Sequence, residues 1–430
     1  MISRYTRPKM GNIWKDDNKF KKWLDVEIAA CEALAHFGII PKKVPVVVKS
    51  KARFDIDKIK KIESVVKHDV IAFLTNVGEY VGPYSRYIHY GLTSSDVLDT
   101  AFALQIKDAS KILFKDIDQL IAALKQKAKK YKYTLMIGRS HGIHAEPVTF
   151  GFKMALFYEE FKRNRERLKS AVDGILYGKM SGSVGIFANV EPKVEKLVCK
   201  KLGLKPEPIS SQVIQRDRHA EYLTTLAIIA GSLEKLSTEI RHLQRTEVGE
   251  VEEHFYPGQK GSSSMPHKKN PITCERISGL ARVIRGNSLT SIENITLWHE
   301  RDISHSSVER IIFPDSTILL DYMFSLMIEI VKNLNVFTKK MLDNLELKKG
   351  LIFSQTLMLH LIQEGMSRED AYIVVQKCSH EALKRNEPLV NTVLKNKKIR
   401  KCLNEKHIRS IFNYKYYIRN VNKIFKRLSI

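Results

Sequence analysis

Apolar residues in this chain recur mostly at spacings of three and four. In LFKDIDQLIAALKQKAKK (113–130), Leu113, Ile117, Leu120 and Leu124 fall on one helical face. In EYLTTLAIIAGSLEKLSTEI (221–240), Leu223, Leu226, Ala230, Leu233 and Ile240 lie at the same spacing. A third segment, TILLDYMFSLMIEIVKNL (317–334), is also strongly apolar. The last two carry apolar residues on more than one stripe, and such helices must bury more than one side. The pattern predicts an all-α fold, a bundle of long helices that also pack against other chains. VPVVVKS (44–50) is the only clear β-branched run and reads as a short strand or loop segment.

Polar segments interrupt the helical periodicity at 67–97, 138–151 and 258–272, and a charge-dense stretch covers 298–311. LKKGL near residue 350 marks a boundary. Beyond it, Ser367 followed by Asp370 reads as a capping box that starts a new helix.

Composition narrows the class. The chain has 430 residues, 43% hydrophobic and 28% charged, which suits a soluble multi-domain protein. No uninterrupted run of 18 apolar residues occurs, so no membrane span is expected. The N-terminus has no apolar signal region. Five cysteines without CxxC pairing fit a reducing cytoplasm and no zinc site. The net charge of +25 suits anionic partners, although 14 Lys or Arg against Glu387 and Glu405 lie in residues 384–430 alone. That basic excess reads equally as a solvated surface.

The interruptions carry the candidate chemistry. In GQKGSSSMPHKKNPI, glycines and serines can free backbone N–H groups to face an anion, with Lys268 and Lys269 beside them. It is neither a P-loop nor a G-x-S-x-G elbow, and a plain surface loop has the same composition. SHGIHAEP holds His141 and His144 without the HExxH spacing of a metal site, so acid–base work suits them better. Glu275 is one carboxylate that could orient a histidine, and Asp69 beside His68 is another. Arg4, Lys67, Lys268, Arg301 and Arg310, with Thr93, Ser94 and Ser306, are potential anion donors. From the residues alone the chain reads as a helical, oligomeric acid–base enzyme without an identified substrate.

GSSSMPHKKNP resembles the G-S-x-x-M-x-x-K-x-N loop of the fumarase/aspartase superfamily of lyases. RYTRPKMGNIW, KHDVIAF, HYGLTSSDVLDTA, GRSHGIHAEPVTFG, QRDRHAEYLTTLA and WHERDISHSSVERI are more narrowly similar to the bacterial adenylosuccinate lyases, end to end. That resemblance implies three helical domains, 1–92, 93–350 and 351–430. The central one would supply a twenty-helix core in a homotetramer with active sites shared between three subunits. It implies β-elimination of fumarate from adenylosuccinate, leaving AMP, and from SAICAR, leaving AICAR, in the cytoplasm. No cofactor or metal, no nucleic acid and no membrane partner is expected.

By the same resemblance, Ser262 takes the succinyl Cβ proton, with Ser263 as the alternative base. His141 protonates the departing nitrogen and Glu275 orients it. His68 lies near the phosphate and is a further catalytic candidate. His89, Thr93, Ser94, Gln212, Lys268 and Asn270 match contacts to the succinyl carboxylates or neighbouring groups. Arg4, Tyr5, Arg301, Ser306 and Arg310 match nucleotide contacts, with Lys67 and Asp69 beside His68. Three positions depart from the common pattern: Lys67 where Arg is usual, Ser140 where Thr is usual, and Arg276 where many bacterial members carry Asn. Arg276 is included as a substrate contact. Two rival readings remain: another lyase of the superfamily, such as argininosuccinate lyase or fumarase, or a basic nucleic-acid-binding protein. No zinc-finger, RRM or KH pattern supports the second.

Overall fold

The structure, a computed structural model, describes residues 2–430. It is predominantly helical. The long helices are Asp16–His36, Ser94–Lys130, Phe150–Ile175, Asp217–Gln244, Ile272–Glu293 and Ser304–Asn333. Three of them, Ser94–Lys130, Asp217–Gln244 and Ser304–Asn333, contain the segments whose apolar residues repeat every three or four positions. Leu113, Ile117, Leu120 and Leu124 are all fully buried, as the shared face requires. At the start of Ser94–Lys130, the Thr93 N–H donates to Asp96 at 2.9 Å, satisfying an otherwise orphaned group. Lys127, Lys129 and Lys130 occupy its last turn, where cations oppose the helix dipole.

Two compact units emerge. One comprises residues up to Leu120 with Phe161–Ser237 and Glu275–Met327. Its core includes an aromatic cluster in which Phe20 stacks on Phe73 at 5.7 Å and Trp23 meets Phe73 edge-on at 5.5 Å. The other comprises Ile121–Glu160, Thr238–Cys274 and Ile328–Ile430. Within it, Leu357, Leu361, Val375, Leu389 and Ile408 form a separate small core. Ser367 caps the helix Arg368–Arg385 by accepting from the Asp370 N–H, as its spacing predicts.

Three local expectations change. Residues 44–51 form a helix, not a strand. Val44 and Val48, four apart, are buried while Val46 points out, and Pro45 fits the first turn. Part of the segment 67–97 is ordered as helix, Asp69–Val81, because VIAFLTNV buries one face. The segment 138–151 is a β-hairpin, with β1 (Leu135–Ser140) pairing antiparallel to β2 (Ile143–Thr149). Two pairs of two-residue strands complete the β-structure among the described residues. Ser304–Asn333 is long and apolar enough by composition to cross a membrane, although it holds no uninterrupted run of 18 apolar residues. Two thirds of its most apolar window is buried within the fold, which is how a core helix is used.

Candidate active site

The serine loop lies between the strand Val251–Glu252 and the helix Ile272–Glu293. Its neck requires glycine: a Cβ on Gly261 would sit 2.1 Å from the Lys268 carbonyl oxygen. Asn270 Nδ2 donates to the Gly261 carbonyl at 2.9 Å and closes the same neck. Inside it, the Ser262 hydroxyl oxygen accepts from two backbone N–H groups, Ser264 at 3.3 Å and Met265 at 3.1 Å. Donors converging on one hydroxyl oxygen favour its ionised, basic form. Ser263 is exposed, and no hydrogen bond reaches its hydroxyl among the described residues.

The two loop lysines divide. Lys269 pairs with Glu252 at 2.9 Å and lies over the Phe255 ring. Lys268 is exposed and has no ion-pair partner among the described residues. It is therefore the cation available to an incoming carboxylate. The loop is anchored from behind by Glu253, which accepts from the Cys274 N–H at 2.7 Å and the Thr273 N–H at 3.3 Å. Those donors are in the first turn of Ile272–Glu293, so the carboxylate also caps that helix.

His141 sits at the tip of the β1–β2 hairpin. Ser140 pairs with Ile143, which leaves His141 and Gly142 as a two-residue turn with φ of 53° and 78°. Positive φ at both positions is the hairpin geometry that matches strand twist. Glycine adopts it freely, whereas histidine bears some strain there. The hairpin is pinned close to this turn: Arg139 makes two hydrogen bonds to the fully buried Glu250, at 2.7 and 3.1 Å. Asn344 also donates to Glu250, at 2.8 Å. His144 faces Arg139 across the ladder. Burial, then the charges of Arg139 and Lys348, lower its pKa and keep the ring neutral. His141 itself is exposed, free to meet a ligand.

The remaining candidate residues lie in the first unit. Lys67 ends one helix in the left-handed conformation (φ 54°) and His68 begins the next. His68 Nδ1 accepts from the Ile71 N–H at 3.4 Å, which leaves the Nε2 edge to carry the proton. Asp69 does not orient that ring: it is 3.8 Å from Nδ1, and its oxygens are taken by the Val70 N–H and by Arg310 at 2.6 Å. Gln212 Oε1 accepts from Arg301 at 3.1 Å. Arg276 donates to the Tyr322 hydroxyl at 2.9 Å, and the Tyr322 ring packs against Tyr5 at 5.4 Å. Thr93 and Ser94 open the helix Ser94–Lys130. Arg301, Ser306 and Arg310 line a cavity of about 280 Å³ with Trp14, Trp23 and Phe102. Glu275 is exposed in the first turn of Ile272–Glu293, and Arg4 is exposed near the N-terminus.

His89 has a partner that the polar segments alone do not reveal. Its backbone N–H and ring Nδ1 both meet the buried Glu27, at 2.9 and 2.6 Å. Burial pulls the His89 pKa down, but the hydrogen bond and charge of Glu27, with Asp96, outweigh it, so the pKa is raised. The signal was present in the helix pattern. Glu27 falls on the apolar stripe of Phe20, Trp23, Ala30 and Leu34, where an unpaired carboxylate would be costly. Tyr322 and the buried Arg216 cluster described below carry no such local cue.

Residues 3–286 match the Lyase family, and residues 350–428 match the family described as adenylosuccinate lyase C-terminus. The adenylosuccinate lyase of Bacillus subtilis (strain 168) is 53% identical over the whole of both chains. That of Aquifex aeolicus (strain VF5) is 52% identical over 100% of this chain and 99% of its own. Among solved structures, a fumarate lyase from Mesorhizobium sp. BNC1 superposes with a TM-score of 0.91, covering 100% of this chain and 99% of that one. At 24% identity it speaks for the fold alone. A 3-carboxy-cis,cis-muconate lactonizing enzyme from Pseudomonas putida gives 0.89 at 27% identity, covering 99% of this chain and 96% of that one.

Proposed function

This chain belongs to the adenylosuccinate lyase family, C–N lyases of the fumarase/aspartase superfamily, and from that premise we propose how its residues divide the reaction. Ser262 Oγ takes a proton from the succinyl carbon next to a carboxylate. The electron pair left behind forms the fumarate double bond as the C–N bond breaks. His141 gives its proton to the departing nitrogen, with Glu275 holding the ring. AMP leaves from adenylosuccinate, and AICAR leaves from SAICAR by the same chemistry. Lys268, Asn270, Gln212, His89, Thr93 and Ser94 take the succinyl carboxylates or neighbouring groups. Arg301, Ser306 and Arg310 take the nucleotide side, with Arg4, Tyr5, His68 and Arg276.

The observation that carries this division is the pair of backbone N–H groups on Ser262 Oγ. A hydroxyl is too weak a base for a carbon acid unless its oxyanion is stabilised, and these donors are already in place. The unpaired Lys268 in the same loop is suited to the charge that develops on the substrate carboxylate.

The three-domain division, the homotetramer and sites built from several subunits belong to the same proposal. Exposed apolar residues support assembly. Leu156, Ile228, Leu289 and Ile311 lie on four different long helices and each is at least half exposed in the single chain. A cytoplasmic setting accords with five free thiols.

The test is fumarate release by purified protein. Adenylosuccinate and SAICAR are expected to react, with loss of their ultraviolet absorbance, while argininosuccinate and malate do not. Turnover of argininosuccinate without turnover of adenylosuccinate would reject the assignment.

A further inference from the structure

Arg216, just before the helix Asp217–Gln244, is 2% exposed and stands between two carboxylates. Its Nη1 and Nη2 meet the two oxygens of Asp99 at 3.0 and 2.8 Å. Nη2 also donates to Glu309 Oε2 at 3.2 Å, and Nε lies 3.0 Å from Oε1 but off hydrogen-bond alignment. Nη1 donates again, to the Ile214 carbonyl at 2.7 Å, while the Ile214 N–H donates to Asp99 at 2.8 Å. Residue 214 is thus held at its N–H and at its carbonyl by the same ion pair.

Each partner of Arg216 belongs to a segment that presents substrate-binding residues. Asp99 follows Thr93 and Ser94 by about one and a half turns of the helix Ser94–Lys130. Ile214 is two residues from Gln212, whose N–H donates to the Glu300 carbonyl at 3.2 Å and whose side chain accepts from Arg301. Glu309 lies between Ser306 and Arg310 on Ser304–Asn333. Three segments distant in sequence therefore converge on one guanidinium.

We infer that Arg216 is a positioning residue: from inside the fold, its planar fork sets the mutual placement of the segments carrying Thr93 and Ser94, Gln212, and Arg301, Ser306 and Arg310. The inference rests on the substrate contacts given under Proposed function. Stability alone is a poor reason for such a cluster. A buried ion pair gains little over apolar packing because desolvation offsets the attraction. What it supplies is direction, since a fork bonded to three groups tolerates one geometry. The neighbouring charges fit a tightly held cation. Burial pushes the Asp99 carboxyl up, but Arg216 outweighs it and holds it at about 2. Burial keeps His305 and His219 neutral beside Arg216.

The experiment is steady-state kinetics on adenylosuccinate for wild type, Arg216→Lys and Asp99→Asn, with a thermal melt for each. Lysine keeps the charge and loses the fork. Asparagine keeps an acceptor for Ile214 and loses the bidentate pair. A positioning role predicts KM raised about tenfold or more with kcat within about threefold, because binding common to ground and transition states is lost. If Arg216→Lys does not fold, Asp99→Asn decides by the same split. A folded variant with a lowered melting temperature and KM within twofold of wild type overturns the inference and leaves the assignment of function standing. Wild type that does not turn over adenylosuccinate rejects that assignment, and the inference falls with it.

Discussion

At the scale of single residues, the serine loop makes a choice between neighbours that are chemically identical. Ser262 and Ser263 differ in what reaches their oxygens, not in composition. Ser262→Ala is expected to lower kcat by about 10²- to 10⁴-fold, the range for loss of a general base. Ser263→Ala should stay within a few-fold of wild type. The reverse outcome in a fumarate-release assay would move the base by one residue. Lys268 and Lys269 are separated by the same logic, since Glu252 occupies only the second. The loop itself was legible in the sequence because its glycines, serines and lysines are unusual within a helical chain. Which serine receives the backbone donors and which lysine is ion-paired was not, because these partners are assigned by the fold.

Among the elements, the N-terminal segment is tied to the helix Ser304–Asn333 through a shared charge site. Arg7 meets Asp321 at 2.5 Å and Asp116 at 3.4 Å, with both carboxylates buried. Burial first, and the neighbouring Asp116 second, push Asp321 up to about 8. A carboxyl whose pKa is raised by folding adds stability that is complete below its unfolded value, near 4. That stability is lost as pH rises through about 8. Asp321→Asn cannot ionise. Its melting temperature relative to wild type is therefore expected to climb from pH 6 to pH 9. A constant difference across that range, read by calorimetry, would remove the carboxyl pair as the cause. Burial lowers His305 to about 4, and Arg216 adds to that effect. That sign is opposite: its contribution is present above about 6.5 and lost as pH falls toward 4. The part of the helix that carries Asp321 was visible as an apolar segment, whereas its first turns with His305 and the charge pairs across it were not, since Arg7 and Asp321 lie far apart in sequence.

For the whole molecule, the exposed apolar residues on the long helices predict assembly. Light scattering is expected to give four times the 49.4 kDa chain. Leu289→Arg, on the exposed side of Ile272–Glu293, should break the assembly and reduce turnover together. A monomer with full activity would show that each site is complete within one chain. Mixing inactive Ser262→Ala with inactive His141→Ala tests the same point from the other side. Recovered activity after reassembly is expected if the base and the acid come from different subunits.

The sequence by itself determined the helical class, because 3.6-residue periodicity is a local property that any bundle must satisfy. It also marked the polar segments that carry the candidate site residues, because glycine, serine and histidine clusters cannot be absorbed into an apolar stripe. It misjudged residues 44–50 and part of 67–97 and left the backbone of 138–151 open, because short β-branched or polar runs fit more than one backbone until packing selects among them. Only the tertiary structure gave His89 its Glu27, His141 its left-handed turn and Arg216 its two carboxylates. The reason is that burial sets the cost of an unpaired charge, and burial is a property of elements brought together rather than of the residues that compose them.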